Sequence, residues 1–326
     1  MSVYTHLHEQ DINQLLEQYD IGELVSFTGI DGGVENTNYF IDVINEGINT
    51  RYVLTLFEYL PVQALPFFIH LTDELTVGGI PAPASIRDRT GQALHSLKGK
   101  PAIIAPCLPG QHIKHLSDTH CQQMGTMLAQ IHNIGKSSKL QQENQRGVQW
   151  LAQQQQRLQP LLDKKDSELM DSQWQSIIKS LAKFNNLPEG LIHGDLFHDN
   201  VLFDDNRITG VIDFYNACHD WLIYDVAVTV NDWCLNKDLT LNPLLCRAFL
   251  DAYSLVRPFT PEEKQAWPVM LRLASFRFWV SRIITFIHPE EAVDRAHESS
   301  LKRNFKDPDE FRDILINRME RIQPAP

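Results

Sequence analysis

Positive charge is scarce in this chain: 29 Lys and Arg stand against 41 Asp and Glu in 326 residues, a formal net charge of −12. A surface of that sign repels nucleic acids and anionic membranes, so neither is expected as a partner. Long apolar runs are also missing. The stretch from Phe276 to Ile287 is broken by Arg277 and Arg282, short of the ~18–20 apolar residues a membrane span needs. The opening MSVYTHLHEQ lacks the apolar run of a secretory leader. Cysteines number five (Cys107, Cys121, Cys218, Cys234, Cys246), and no Cys-x-x-Cys occurs. That excludes a zinc site of the usual spacing and a disulfide framework. Reduced, mostly buried thiols in a cytoplasmic protein are the expectation. The Gly-x-x-x-x-Gly-Lys spacing of a P-loop is absent, and so is a complete Gly-x-Gly-x-x-Gly.

Hydrophobic residues at 43% and charged residues at 21% indicate a folded globular chain. The length allows two domains or one large two-lobed unit. A short amphipathic helix is expected over 10–19. The segments Leu24–Ile30, Thr37–Ile44 and Arg51–Phe57 alternate apolar and polar residues around turns at Asp31-Gly32-Gly33 and Asn45-Glu46-Gly47. Strands joined by such short turns imply an antiparallel sheet, which Leu94–Ser96 and Ala102–Ala105 extend to five strands. Leu65–Leu75 has helical periodicity. Pro106-Cys107-Leu108-Pro109-Gly110 marks a boundary, because its prolines and glycine fit neither a helix interior nor a central strand. Beyond it, helical patterns cover 118–134, 147–162, 171–184, 222–234, 241–256, 261–286 and 308–322. Short strand-like runs at Leu191-Ile192, Val201–Phe203 and Ile208–Ile212 interrupt them. The expected organisation is α+β: a small β-rich lobe over 1–105, a hinge over 106–110 and a larger helical lobe over 111–326, with a ligand in the cleft between lobes.

Chemistry concentrates in His193-Gly194-Asp195-Leu196-Phe197-His198-Asp199-Asn200, followed by Ile212-Asp213-Phe214. An aspartate after glycine is ordinarily a turn residue. Here an amide follows five positions later and a second aspartate thirteen after that, and each type has a task in phosphoryl transfer. Asp195 can accept the proton of an attacking hydroxyl. Asn200 and Asp213 offer oxygen ligands to a hard cation, Mg2+, bridging the phosphates of ATP. Protein kinases share the aspartate-to-asparagine gap. His-Gly-Asp in place of His-Arg-Asp, and Tyr215 in place of the glycine of Asp-Phe-Gly, point instead to kinases of small molecules. His193 is expected to hold the turn, and Asp199 to be a surface neighbour. The glycine-containing run from Asp31 to Tyr39 is a hairpin signal and equally a candidate phosphate loop, through Gly32, Gly33 and Asn36.

With these motifs in view, the chain resembles the aminoglycoside-phosphotransferase-like small-molecule kinases, which share the protein-kinase-like fold. Within that group it looks most like bacterial homoserine kinases. The stretches that carry the resemblance are GGVENTNYF (32–40), YVLTLFE (52–58), GIPAPA (79–84), HGDLFHDNVLF (193–203), the run from Gly210 to Cys234, AYSLVRPFTPEE (252–263) and LRLASFRFWVSR (271–282). The resemblance implies ATP-dependent phosphorylation of the side-chain hydroxyl of L-homoserine, a step toward threonine. It implies Asp195 as the catalytic aspartate, Asn200 and Asp213 as magnesium ligands, and a hinge around Ala105 and Cys107 against the adenine.

Relatives often carry a lysine on the third strand for the α- and β-phosphates. Here Thr55 holds that position, with Arg51 on the same strand face as a candidate substitute and Glu74 left without the usual lysine. An amino-acid substrate needs a cation for its carboxylate and acceptors for its ammonium. Arg277 or Arg282 could serve the first, although pairing with acidic residues is the commoner fate of such arginines. Glu35 and Asp220 are candidates for the second. Rival readings keep the chemistry and change the alcohol to choline or ethanolamine, methylthioribose or an aminoglycoside. Trp221, Trp233 and Trp279 could form an aromatic cage for a quaternary ammonium. A non-catalytic, pseudokinase-like binding module is the remaining alternative.

Overall fold

The computed structural model describes residues 3–30, 36–287, 306–320 and 323–326. The chain divides into two compact units, residues 1–109 with 210–212, and residues 110–209 with 213–326.

The first unit is built on a five-stranded antiparallel sheet in the order β1-β2-β3-β5-β4. Its strands are β1 (Glu23–Gly29), β2 (Asn36–Asn45), β3 (Ile48–Phe57), β4 (His95–Leu97) and β5 (Lys100–Pro106). Glu46 and Gly47 join β2 to β3 with φ of 50° and 82°, and Lys98 and Gly99 join β4 to β5 with φ of 52° and 75°. Two-residue loops with positive φ at both positions match the twist of the strands they connect. The helix α1 (Glu9–Leu16) starts with the Asp11 carboxylate accepting from the His8 amide at 2.9 Å. Its Ile12, Leu15 and Leu16 share one core cluster with Ile41, Val43, Leu54, Leu56 and Ile104 of the sheet. The helix α2 (Leu65–Val77) follows β3. Position 55 is fixed by register, opposite Asn38 on β2 and Ile103 on β5.

The second unit is mainly helical. It contains α3 (Asp118–Ser137), α4 (Val148–Leu158), α5 (Lys164–Leu181), α6 (Leu222–Trp233), α7 (Pro243–Val256), α8 (Pro261–Ile287) and α9 (Pro308–Glu320). Two short two-stranded sheets carry the motif region: β6 (Glu189–Ile192) with β9 (Cys218–Trp221), and β7 (Val201–Asp204) with β8 (Arg207–Val211). Nearly every residue of α6 is buried, Asp225 and Asn231 included, so it is the central helix of this unit. The α+β class expected from the sequence holds.

Two expectations shift. Helix α5 begins at Lys164 rather than 171, because the Asp163 side chain caps it by accepting from the Asp166 amide. Strand β9, of sequence CHDW, has no alternation to announce it and exists through pairing with β6.

Helices α3 and α7 approach closely at Gly125, where a Cβ would lie 2.2 Å from the backbone oxygen of Phe249. Backbone cannot move aside as a side chain can, so Gly125→Ala is expected to cost at least ~1–3 kcal/mol and to lower the urea midpoint. An unchanged midpoint would show that the two helices separate freely.

Candidate active site

Strand β6 delivers the chain into His193-Gly194-Asp195, and a short 3-10 turn over His198–Asn200 leads into β7. Gly194 has φ of +76°, and a Cβ on it would lie 2.7 Å from the Asn216 carbonyl oxygen. Both facts exclude the arginine that protein kinases place there. The His193 imidazole is fully buried, lies 4.7 Å from the Phe214 ring and accepts from the Asp195 amide at 3.3 Å. It holds the turn, as expected.

Three side chains of α6 anchor this loop. Asp225 accepts from the His193 and Gly194 amides, each at 2.9 Å. Asp232 accepts from the His198 amide at 2.7 Å and pairs with its Nδ1 at 2.8 Å. The Trp233 indole donates to the Leu196 carbonyl at 3.1 Å. Asp225 and Asp232 are two helical turns apart and share a face. The hydrogen bond to Asp232, with the charge of that carboxylate, holds the His198 imidazole above its ordinary value against the effect of burial.

Asp225 is fully buried and also receives His132 Nε2 of α3 at 3.0 Å. The tautomer follows from the bonds behind it. Arg257 donates to the Tyr253 hydroxyl at 3.0 Å, so that hydroxyl donates onward to His132 Nδ1 at 2.7 Å. Nε2 therefore carries the proton given to Asp225. Burial pushes the His132 imidazole down, outweighing its bond to Asp225. Burial would push the Asp225 carboxyl up, but His132 and the loop amides outweigh it and hold the group below its usual range. The pair is a neutral histidine donating to a carboxylate.

The catalytic candidates are linked directly. Asn200 Nδ2 donates to the Asp195 carbonyl at 2.8 Å, which commits the amide nitrogen and leaves its oxygen as the ligand-type atom. Asp213 has φ of 62° and ψ of 54°, a left-handed conformation uncommon for a non-glycine residue, and heads the 3-10 turn Phe214–Asn216. Tyr215 lies within that turn, where no glycine is required. Asn216, three residues after Asp213, donates to Asp195 Oδ2 at 3.3 Å, so the turn headed by Asp213 is joined to the Asp195 carboxylate. Asp195 and Asn200 are half-buried and Asp213 is exposed. One carboxylate and one amide oxygen suit Mg2+, which takes few protein ligands and completes its sphere with phosphate oxygens and water. Among the described residues no cluster of three His, Cys, Asp or Glu offers a preformed all-protein metal cage.

Other sequence candidates fall as follows. Asp199 pairs with Lys306 at 2.7 Å. Asp220 accepts from Asn144 at 2.5 Å and from the Trp221 amide at 2.7 Å, and burial pushes its carboxyl up. Arg282 is committed to Glu310 at 2.5 Å and to the Asp307 carbonyl at 2.9 Å, over the Phe311 ring. That pairing, between α8 and α9, uses the charge it would need as a carboxylate receptor. Arg277 is buried with its guanidinium 3.9 Å from the centre of the Phe278 ring. Of the cage candidates, Trp233 and Trp279 are core residues and Trp221 is half-buried.

In the first unit, Thr55 donates to Asn38 at 2.7 Å. Arg51 forms a two-bond fork with Asp42 and lies over the Phe40 ring, so it is not a substitute for the missing lysine. Asn36 opens β2 and is buried. Ala105 pairs with Val53, and the Cys107 amide donates to the Arg51 carbonyl at 3.3 Å. Gly32, Gly33 and Glu35 lie outside the described residues. All five cysteines are free thiols.

Comparison with known proteins agrees with this geometry. The phosphotransferase enzyme family matches residues 26–259. The chain belongs to that family. The homoserine kinase of Methylobacillus flagellatus is 43% identical over 315 residues, 97% of this chain and 94% of the relative. That of Pseudomonas aeruginosa is 44% identical over 284 residues, 87% and 89% of the two chains. Among solved structures, an amicoumacin kinase in complex with AMP-PNP, Ca2+ and Ami superposes with a TM-score of 0.71 at 14% identity, covering 97% of this chain and 93% of its own. The fold of this phosphotransferase is therefore protein-kinase-like, as the motifs implied.

Residues that sequence reasoning passed over are His132, Asp225 and Asp232, while Trp233 was considered only for an aromatic cage. The available signal was two aspartates seven apart in a helix whose residues are mostly apolar. The sign of the pH dependence follows from His132. It is held neutral when folded and protonates when unfolded below about pH 6.5, so the unfolded chain then binds more protons. Its contribution is complete above that pH and lost as pH falls below it. Asp225 contributes stability present above about pH 3.9 and lost as pH falls through its depressed folded value. His132→Gln should flatten the decline of the urea midpoint between about pH 7 and 5. An unaltered slope would remove His132 from this account.

Proposed function

We propose that this phosphotransferase is an ATP-dependent kinase that converts L-homoserine to O-phospho-L-homoserine. The observation that carries the reading is relatedness at 43% identity over 97% of the chain to a homoserine kinase, together with Asp195 and Asn200 on an anchored loop and Asp213 heading the turn joined to it.

Asp195 orients the side-chain hydroxyl of homoserine and takes its proton as the oxygen bonds to the γ-phosphorus of ATP, with ADP as the leaving group. Phosphoryl transfer gains most from positioning and charge neutralisation, which is why rigid support of Asp195 matters more than a strongly basic carboxylate. The Asn200 amide oxygen and the Asp213 carboxylate would hold Mg2+, which would neutralise phosphate charge when bound. Thr55 brings no charge to the α- and β-phosphates. In this reading Asn36 and Thr55 serve the phosphates, and backbone groups near Ala105 and Cys107 hold the adenine. The β-rich part to 105, the hinge over 106–110 and the helical remainder then act as nucleotide lobe, hinge and catalytic lobe. We place the reaction in the cytoplasm, in keeping with five free thiols.

ADP release with Mg-ATP, measured across homoserine, choline, methylthioribose and kanamycin, should show turnover of homoserine far above the rest. Turnover of another alcohol instead would replace the substrate, and turnover of none would leave a binding protein. Asp195→Asn should lower kcat by roughly 10²–10⁴-fold with Mg-ATP binding nearly intact. Asp213→Asn should instead weaken the magnesium dependence of nucleotide binding. Full activity of Asp195→Asn would remove the assignment.

A further inference from the structure

The segment between α3 and α4 lies along β9. The His219 amide donates to the Gln142 carbonyl at 2.7 Å, and Glu143 bridges to His219. Asn144 then faces two ways. Its Nδ2 donates to Asp220 at 2.5 Å, and its Oδ1 accepts from the Arg146 amide at 2.8 Å. The second bond is a local turn of the kind asparagine favours, and it sets the direction in which residue 146 leaves the backbone. Arg146 Nη1 donates to Asn216 Oδ1 at 2.9 Å, and Asn216 Nδ2 donates to Asp195 Oδ2 at 3.3 Å. A single side-chain amide therefore joins this guanidinium to the catalytic carboxylate. With an amide N-to-O span of about 2.3 Å, Nη1 lies no more than about 8.5 Å from Asp195 Oδ2.

Asp220 sits on the other side of Asn144. It is half-buried, its two hydrogen bonds come from neutral donors, and among the described residues it forms no ion pair. A carboxylate in that position gains from an incoming cation.

The geometry points to Arg146 as the receptor of the substrate carboxylate and Asp220 as the receptor of its ammonium, with Asn144 spacing the two. This assignment rests on the homoserine reading and deepens it. It makes the site specific for an α-amino acid whose hydroxyl is carried on a short side chain. With the hydroxyl oxygen at Asp195, the carboxylate of homoserine lies about 5–6 Å further on, a span that the Arg146 head can meet at hydrogen-bond distance. A guanidinium suits this task because it binds a carboxylate through two parallel bonds. The Asp220 assignment retains one of the two ammonium candidates of the sequence, and Arg146 replaces Arg282 for the carboxylate.

The test uses homoserine and two truncated analogues, 3-amino-1-propanol, which lacks the carboxylate, and 4-hydroxybutyrate, which lacks the ammonium. Each is measured by kcat/KM, or by its inhibition constant against homoserine where turnover is slow. Arg146→Gln should lower kcat/KM for homoserine by roughly 100-fold or more, mainly through KM. It should weaken 4-hydroxybutyrate similarly, leave 3-amino-1-propanol nearly unaffected and leave the KM for Mg-ATP unchanged. Asp220→Asn should weaken homoserine and 3-amino-1-propanol and spare 4-hydroxybutyrate. Arg146→Lys, which keeps the charge without the fork, should recover part of the loss. Equal losses on all three compounds, or a raised KM for Mg-ATP, would overturn the assignment by showing that these residues serve the phosphate or the fold. Wild-type enzyme that ignores homoserine would instead overturn the substrate reading, an outcome visible before any variant is made.

Discussion

A single buried carboxylate organises the loop that carries Asp195. Asp225 accepts two consecutive backbone amides, of His193 and Gly194, immediately before Asp195. Those amides would otherwise be buried donors without partners, each a cost of about 1–3 kcal/mol. Satisfying both with one anion fixes the peptide planes on either side of Gly194 and so the direction in which Asp195 leaves the chain. The left-handed φ of Gly194 and the lack of room for a Cβ against the Asn216 carbonyl belong to the same constraint. Asp232 and Trp233 repeat the device farther along the loop, so α6 holds the motif at three successive points.

A buried anion must itself be compensated. The compensation here is a chain of hydrogen bonds rather than a full opposing charge. Glu263 pairs with Arg257 at 2.8 Å, Arg257 donates to Tyr253, Tyr253 to His132, and His132 to Asp225. Such chains polarise their members cooperatively. The run Ser254-Leu255-Val256-Arg257-Pro258 with its following Pro261-Glu262-Glu263 looked, in the sequence, like a family signature without evident chemistry. The structure gives it a physical task, in that Arg257 and Glu263 terminate the chain that orients His132.

Much of the architecture could be read directly. The turn at Asn45-Glu46-Gly47 announces itself because two-residue hairpins demand positive φ, which Glu46 and Gly47 both adopt. Strand β9 was not legible, since CHDW acquires its strand character only from β6. The start of α5 was misplaced because Asp163 and Asp171 are equally plausible caps by type, and the Asp163 carboxylate is the one that accepts from an amide of the first turn. In the site, Asp195, Asn200 and Asp213 were chosen from type and spacing, and the structure links Asn200 directly to Asp195 and joins the turn that Asp213 heads to it through Asn216. Arg282 was chosen as a cation in an apolar helix, and its pairing with Glu310 depends on α9, outside any local pattern.

The sequence by itself determined the chemical inventory: an aspartate, an amide and a second aspartate at fixed intervals, a glycine where only glycine fits, and no lysine at position 55. Those features follow from side-chain type and short-range geometry, which spacing encodes. Tertiary structure alone decided what supports them and what surrounds them: Asp225 reaching loop amides more than thirty positions earlier, His132 more than ninety positions before its partner, and Asn144 and Arg146 meeting Asp220 and Asn216 about seventy positions away. Hydrogen bonds between such distant groups form only after the intervening helices pack, and no periodicity in the chain records which donor will meet which acceptor.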